Sequence, residues 1–182
     1  MTVSLKYAAP ILIEPTVHGD SRGYFFEPHN QRTFKDKWGI DEIFVQDNES
    51  FSGRGILRGL HYQIGDSAQA KLVRVVTGKV IDVVVDIRKS SPAFGKVYSY
   101  ILDDVKKHQL FVPRGFAHGF AVLSDTAIFQ YKVDNFYSKP DERGILFSDP
   151  ALKIDWQLEA AQIQVSEKDR VLPLFSDAEF FA

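Results

Sequence analysis

A series of short apolar runs separated by turn signals, between residues 42 and 133, restricts the fold of this sequence more than any other feature. Segments such as SSPAFG, DDVKK and PRG mark the turns. Turn signals at a spacing of roughly 8 to 12 residues predict an all-β sandwich or barrel. The predicted strands of this series are residues 42–48, 56–63, 71–77, 80–87, 96–102, 109–112, 117–123 and 127–133.

Before this series, the sequence predicts two further short strands, at residues 5–13 and 24–27. It also predicts a helix over residues 31–38. Asn30 is a good N-cap for this helix, and Gly39 is a typical C-terminal stop.

After the series, the pattern changes to short helical signals. The segment SEKD at 166–169 has the form of a helix cap, and residues 177–181 predict a second helical turn. The chain shows no internal repeat and no linker-like segment. We therefore expect residues 1–182 to form a single domain.

Composition excludes several classes of function. A net charge of −2 argues against a nucleic-acid-binding protein, which needs a basic excess. No run of 18 apolar residues predicts a membrane span, and the first ten residues lack the pattern of a signal peptide. The sequence has no cysteine, which excludes disulfides and fits a reducing compartment. We therefore expect a cytoplasmic protein that binds neither nucleic acid nor membrane.

The segment from Gly55 to Gly78 contains one histidine, His61, between two cations. Arg58 lies on the opposite face from His61 if the strand is regular, so a kink or bulge at Gly59 is needed to bring them together. Lys71 shares a strand face with two valines. An ammonium there is costly unless an anionic group meets it, which indicates a binding site.

The spacing of this segment resembles the first motif of the cupin superfamily, in which a glycine and five residues precede His-x-His, followed by an acid, six residues and a glycine. Gly55 and His61 fit, but Gln63 stands at the second histidine and Lys71 at the acid. The second motif, Pro-x-Gly-x-x-His, recurs in FVPRGFAHGF at 111–120. An ammonium cannot ligate a cation, and an amide is a poor ligand for soft metals. The resemblance therefore implies an all-β, cupin-type jelly-roll barrel, with short helices near both ends of the chain, that works without a metal.

Three side chains are candidates for chemistry, and each has an ordinary structural alternative. His61 is either a core histidine or a general base whose ring a carboxylate such as Asp169 orients, although spacing alone does not bring these two together. Lys71 is either a solvated surface lysine or a fixed cation that stabilises an enolate oxyanion. Tyr131 is either a core tyrosine bonded to a carbonyl or a general acid opposite the base.

Other polar residues have the same two interpretations. His118 occupies a metal-ligand position of the second motif, and without partner ligands we expect a neutral hydrogen-bonding role. Arg22 either closes a turn with Asp20 or binds the phosphates of a nucleotide. Glu142 and Arg143 form a loop ion pair by default.

At the level of a family, the chain resembles the dTDP-4-dehydrorhamnose 3,5-epimerases over nearly its whole length. The matching segments occur in the same order, and they are DSRGYFFE at 20–27, VQDNES at 45–50, GILRGLHYQ at 55–63, residues 71–88, FVPRGFAHGF at 111–120, YKVDNFYSKPDERGILFSDPALKIDW at 131–156 and VSEKDRVLPLFSD at 165–177.

The resemblance implies a homodimer with exchanged strands, no metal and no cofactor. It implies that His61 is the base, paired with Asp169, that Tyr131 is the opposing acid and that Lys71 stabilises the enolate. The implied reaction inverts C3 and C5 of dTDP-4-dehydro-6-deoxy-D-glucose to give dTDP-4-dehydro-L-rhamnose. The positions that contact the nucleotide sugar in the family are Arg22, Glu27, Gln46, Asn48, Arg58, Lys71, His118, Glu142 and Lys168.

Three alternatives remain open at this level. A sibling enzyme with the same acid and base inverts only one carbon, or isomerises the ketone, of a related dTDP-4-keto-6-deoxysugar. A metal-dependent cupin such as a dioxygenase would need ligands at the positions of Gln63 and Lys71. A non-catalytic sugar-binding module would keep the arginines without needing His61, Asp169 and Tyr131 together.

Overall fold

The structure is a computed structural model that describes residues 3–182. These residues form twelve strands and two α-helices. The strands are β1 (Ile11–Ile13), β2 (His18–Asp20), β3 (Gly23–Phe25), β4 (Gln46–Gly53), β5 (Leu57–Gln63), β6 (Lys71–Thr77), β7 (Lys79–Asp86), β8 (Val97–Asp103), β9 (Gln109–Val112), β10 (Phe116–Val122), β11 (Thr126–Val133) and β12 (Glu142–Gly144). The helices are α1 (Gln31–Trp38) and α2 (Glu167–Arg170).

Two five-stranded antiparallel sheets make up the body of the fold, which confirms the all-β prediction. The first sheet has the order β1-β9-β6-β11-β4, and the second has the order β12-β5-β10-β7-β8. Strands β2 and β3 form a separate hairpin. Because consecutive strands repeatedly cross between the sheets, residues from distant parts of the sequence face one another across the interior.

The alternation predicted for β6 is confirmed by its packing. Val73 and Val75 lie in the apolar cluster between the two sheets. Leu72 points the other way, into the cluster beneath α1 that includes Phe34 and Phe111. Lys71 therefore starts a face that is directed to the interior between the sheets.

Strand β7 is buried on both faces within a single chain. Its sequence between residues 80 and 87, VIDVVVDI, is nearly continuous in apolar residues, as expected of a strand that is covered on both faces. Val80 and Val84 lie between the sheets, while Val83 and Val85 pack against the C-terminal segment, which includes Trp156. The chain after β12 covers the outer face of the second sheet, so β7 needs no partner subunit to bury it.

Helix α1 agrees with the prediction at both ends. The Asn30 side chain accepts a hydrogen bond from the Thr33 backbone N–H, and Gly39 takes the left-handed conformation at φ 68°. A glycine adopts this conformation without steric cost. No helix among residues 3–182 is long and apolar enough to cross a membrane.

Several predicted elements differ from the structure. The strand predicted at 42–48 is β4, which begins four residues later, at Gln46, and continues to Gly53. It is an edge strand, so its outer face is polar and gives a weak apolar signal. The strand predicted at 5–13 contains only β1.

The second C-terminal helical turn, predicted at residues 177–181, is wrong. A 3-10 turn lies earlier, at Phe175–Asp177, and Phe181 forms a parallel bridge with Arg88. The Phe181 side chain is 2% exposed. Its burial against the second sheet therefore outweighs the local helical signal.

Candidate active site

A cavity of about 710 Å³ opens between the two sheets. Its walls come from β4, β6 and β11 of the first sheet, from β5 and β10 of the second, and from residues 164–170. This volume is typical of sites that bind small molecules and cofactors. The packing of the C-terminal segment over the sheets therefore completes a site as well as a core.

A bulge in β5 brings Arg58 and His61 to the same cavity. His118 of β10 is opposite His61, but Phe120 is opposite Arg58, so two steps along β10 match three along β5. Gly59 lies in this bulge with φ 128°. The bulge predicted at Gly59 is therefore confirmed, and both side chains line the cavity.

His61 forms a dyad with Asp169. The Nε2 atom of His61 lies 2.6 Å from a carboxylate oxygen of Asp169, which is 3% exposed. Burial alone would raise the pKa of Asp169, but the hydrogen bond and charge of His61 outweigh it and hold that pKa below its usual value. Because a carboxylate only accepts hydrogen bonds, Nε2 carries a proton, and in the neutral form of the imidazole Nδ1 keeps its lone pair. The arrangement is that of an imidazole base oriented by a carboxylate.

Helix α2 positions Asp169. Ser166 is its N-cap, and the Ser166 hydroxyl oxygen accepts a hydrogen bond from the Asp169 backbone N–H at 3.1 Å. The Ser-x-x-Asp cap predicted from the sequence is thus confirmed. One short helical turn fixes the backbone of the residue that orients His61.

Tyr131 lines the same cavity from the first sheet, whereas His61 lies in the second. Burial raises the pKa of Tyr131 above its ordinary value, and the positive charge of Arg58 offsets this rise only in part. The phenol therefore stays protonated at neutral pH. A protonated phenol on the sheet opposite His61 is suited to donate a proton.

Lys71 is the first residue of β6 and also lines the cavity. Its ammonium lies 3.5 Å from the backbone carbonyl oxygen of His61. Burial lowers the pKa of Lys71 to about 8, against the opposing effect of Asp82 and Glu142. The side chain is thus a desolvated cation next to His61, rather than a solvated surface lysine.

A second histidine–carboxylate pair lies in the wall of the cavity. His118 Nε2 is 3.0 and 2.9 Å from the two carboxylate oxygens of Asp82. Asp82 is fully buried in β7. The sequence interpretation did not assign Asp82 to the site. The feature of the sequence that could have identified Asp82 is its charge within the run VIDVVVDI, which is otherwise nearly all apolar. A buried carboxylate needs a partner.

Five of the nine predicted substrate-binding residues line the cavity. They are Asn48, Arg58, Lys71, His118 and Lys168. Gln46 lies outside the lining and donates a hydrogen bond to the Asn48 side chain at 2.8 Å. Its contact to the cavity is therefore through Asn48.

Glu142 reaches the site through Lys168. Its carboxylate lies 2.6 Å from the Lys168 ammonium and accepts a hydrogen bond from the Tyr137 hydroxyl at 2.9 Å. Arg143 instead pairs with Glu179, so the ion pair expected by default between residues 142 and 143 is not formed.

Arg22 and Glu27 lie away from the cavity lining of their own chain. The Arg22 side chain is 87% exposed on the hairpin and pairs with Asp20, as the turn interpretation predicted. The chain therefore does not bring these two positions to its own His61.

The cupin metal positions carry other contacts. Gln63 donates to the Ser67 and Phe136 carbonyls and accepts from the Ser138 backbone N–H, so its amide braces two loops. Among residues 3–182, no group of three or more His, Cys, Asp or Glu side chains is arranged to hold a metal ion.

Together, the two sheets and the interior cavity define the class of this protein, a cupin-like jelly roll. A sequence model of the dTDP-4-dehydrorhamnose 3,5-epimerases matches residues 5–177. The chain belongs to this family.

Individual relatives agree with this assignment. The dTDP-4-dehydrorhamnose 3,5-epimerase of Shigella flexneri is 53% identical over 94% of this chain and 93% of its own length. The crystal structure of the enzyme of that name from Elizabethkingia anophelis is 50% identical, with a TM-score of 0.89 and 97% of each chain covered. A Legionella pneumophila epimerase, solved in complex with dTDP-4-keto-L-rhamnose, is 46% identical, with a TM-score of 0.88 and 92% of this chain and 88% of that one covered.

Proposed function

We propose that this chain inverts C3 and C5 of dTDP-4-dehydro-6-deoxy-D-glucose to give dTDP-4-dehydro-L-rhamnose, a step of dTDP-L-rhamnose biosynthesis. One observation carries the proposal. The His61–Asp169 dyad and the protonated Tyr131 come from opposite sheets and line one cavity, together with a desolvated ammonium. These are the groups that proton removal and return beside a ketone require.

His61 is the base of the proposed mechanism. The protons on C3 and C5 are both α to the C4 ketone, so removing either one leaves an enolate. Nδ1 of His61 takes the proton, and the resulting imidazolium is stabilised by the Asp169 carboxylate. Lys71 then stabilises the enolate oxygen, because a fixed cation in a desolvated site acts strongly on developing charge.

Tyr131 completes each inversion as the acid. Inversion requires that the new proton arrive on the face opposite to the one that lost it. The phenol is held on the other sheet, and its raised pKa keeps the proton available. Asn48, Arg58 and Lys168 supply amide and cationic groups that suit a nucleoside diphosphate, so the sugar is held in reach of both rings.

A homodimer with exchanged strands accounts for Arg22 and Glu27. Both lie outside the chain's own cavity, and the hairpin that carries Arg22 exposes Tyr24 and Phe25. We infer that the hairpin reaches the cavity of a partner subunit. The single-domain organisation of residues 1–182, the cytoplasmic location and the independence from metal and cofactor are further parts of the proposal.

Exchange of substrate protons with D₂O tests the mechanism. The wild-type chain should incorporate deuterium at C3 and C5 of the keto sugar, and His61→Ala should not. Exchange that persists in His61→Ala would remove His61 from the mechanism. Tyr131→Phe should still exchange protons while its epimerised product decreases strongly, whereas full epimerisation would contradict the role of the acid.

The same experiment separates the related activities. Deuterium at only one of the two carbons would identify a sibling mono-epimerase with the same acid and base. Activity that disappears with chelator and returns with a metal would instead identify a metal-dependent cupin.

A further inference from the structure

The short turn that carries Asp169 is attached to the rest of the chain at both of its ends. Before it, Gln164 forms a parallel bridge with Ile56. After it, the Pro173 carbonyl oxygen accepts a hydrogen bond from the Leu146 backbone N–H. Among the residues that the structure describes, those between these two points make backbone hydrogen bonds only within the turn. Side chains therefore decide how the turn lies against the second sheet.

Two consecutive residues of the turn contact two neighbouring strands of that sheet. The Asp169 carboxylate lies 2.6 Å from His61 Nε2 on β5. The Lys168 ammonium lies 2.6 Å from the Glu142 carboxylate on β12. Strands β5 and β12 pair with Gly144 opposite His61. The two contacts therefore hold the turn at two points of one pair of strands.

Glu142 is the fixed partner in its contact with the turn. The oxygen that meets Lys168 also accepts a hydrogen bond from the Tyr137 hydroxyl at 2.9 Å. The Glu142 side chain is 20% exposed, against 54% for that of Lys168. Among the described residues, the cavity lining includes Lys168 but not Glu142. The carboxylate is therefore placed to hold the turn, and it is not part of the cavity wall.

We propose that Glu142 is a positioning residue for His61. It holds Lys168, and with it the turn that places Asp169 against the imidazole. This inference rests on the proposed function, in which His61 removes the proton, and it replaces the substrate contact that the family resemblance implies for Glu142. Because a displacement of about 1 Å can cost up to about a hundredfold in rate, a loosely held turn should slow proton removal without weakening substrate binding.

Glu142→Gln tests this role, because it keeps an acceptor for Tyr137 and removes the charge that pairs with Lys168. We expect kcat to fall about tenfold, while the dissociation constant of the unreactive ligand dTDP-glucose stays within about threefold of the wild-type value. Kinetics at about pH 6.5, below the pKa of about 8 of Lys71, keep that side chain charged. A melting temperature within about 5 °C of the wild-type value shows that the variant folds.

Amide hydrogen exchange measures the turn directly and does not depend on activity. Peptides that cover residues 164–173 should exchange about tenfold faster in Glu142→Gln than in the wild-type chain. Glu179→Gln is the matched control. It removes an ion pair with Arg143, the next residue of β12, and this pair involves no residue of the turn. The control should leave both kcat and the exchange of the turn unchanged.

Lys168→Met tests the other half of the contact. It should lower kcat by about the same factor, and it should also weaken the binding of dTDP-glucose, because Lys168 lines the cavity. If Glu142 acts through Lys168, the double variant should lose no more kcat than Lys168→Met alone. Additive losses would show that Glu142 acts independently of the turn, and would overturn the proposal.

Unchanged kcat in the folded Glu142→Gln variant would overturn the proposal, whether or not the turn exchanges faster. Weaker binding of dTDP-glucose with kcat unchanged would make Glu142 a substrate contact instead. Failure of the proposed function has a different signature. If the wild-type chain does not epimerise the keto sugar and the turn still exchanges faster in Glu142→Gln, the attachment of the turn is supported and only the proposed function fails.

Discussion

Burial lowers the pKa of Lys71 to about 8, which lies inside the pH range of ordinary assays. In the proposed mechanism the ammonium form of Lys71 stabilises the enolate, and this form is lost as the pH rises through this value. We therefore expect kcat/KM to fall above about pH 8, by about tenfold per unit at high pH, since kcat/KM reports the free enzyme. Tyr131 stays protonated in this window because burial raises its pKa.

Lys71→Arg is the control for this pH profile. A guanidinium does not lose its proton in the assay range, so residual activity of the variant should not fall near pH 8. A wild-type profile that stays flat to pH 10 would contradict the assignment of Lys71 as the charged group.

At the scale of single residues, the sequence identifies a candidate site residue when the residues next to it along the chain determine its environment. Lys71 stood out because an alternating apolar strand is a costly place for a charge. The partner of His61 could not be found in the same way, because Asp169 is separated from it by 108 positions. Only the folded C-terminal segment brings this carboxylate to β5.

At the scale of elements, the cap of α2 links stability to catalysis. Ser166→Ala removes the acceptor for the Asp169 backbone N–H and should lower the free energy of unfolding by about 1 kcal/mol. Because the same turn positions Asp169, kcat should fall while the dissociation constant of dTDP changes little. Denaturant unfolding and steady-state kinetics measure the two effects.

The matched variant is Ser166→Thr, which keeps a hydroxyl acceptor at the cap. It should retain most of the stability and most of kcat. Equal kcat for the alanine variant and the wild-type chain would show that the dyad does not depend on this cap.

The bulge in β5 can be tested through Gly59. A Cβ added at this residue would lie 2.5 Å from the Gly119 Cα and 2.9 Å from the His118 carbonyl oxygen, at a φ that side chains rarely adopt. We expect Gly59→Ala to lower the free energy of unfolding by about 2 kcal/mol or more and to reduce activity strongly. Gly53→Ala is the control, since its Cβ would meet only the Asp125 carbonyl oxygen at 3.9 Å. Similar stability and activity of both variants would contradict the role of the bulge.

A strand or helix can be predicted from the sequence when nearby residues determine it, and not when contacts with distant residues do. Helix α1 could be predicted residue by residue, because its N-cap, Asn30, and its glycine stop, Gly39, are both local signals. Strand β4 was misplaced because the apolar side chains before it, including Ile43, are exposed while the strand itself is polar. Phe181 was assigned to a turn because its burial depends on the second sheet, which is distant in sequence.

At the scale of the whole molecule, the arrangement of the two sheets explains why residues from the whole chain meet at one cavity. β5, β6, β10 and β11 each contribute a polar side chain to its lining, and the C-terminal segment contributes Asp169. The cupin-type spacing predicted this architecture, although composition and alternation alone were compatible with any β sandwich. Arg22 lies outside the interior cavity of its own chain, so a single chain does not bring all of the predicted site residues together.

Mixed dimers test whether the partner's hairpin completes the site. If Arg22 acts in the partner's cavity, His61→Ala and Arg22→Ala chains are each impaired alone, but a mixed dimer contains one site with both residues intact. Random exchange of equal amounts should therefore restore about a quarter of the wild-type activity. A mixture of His61→Ala and Tyr131→Phe is the control and should restore none, because both residues line the cavity of one chain. Absence of recovery in the first mixture, with exchange verified by mass spectrometry, would show that the hairpin does not serve the partner's site.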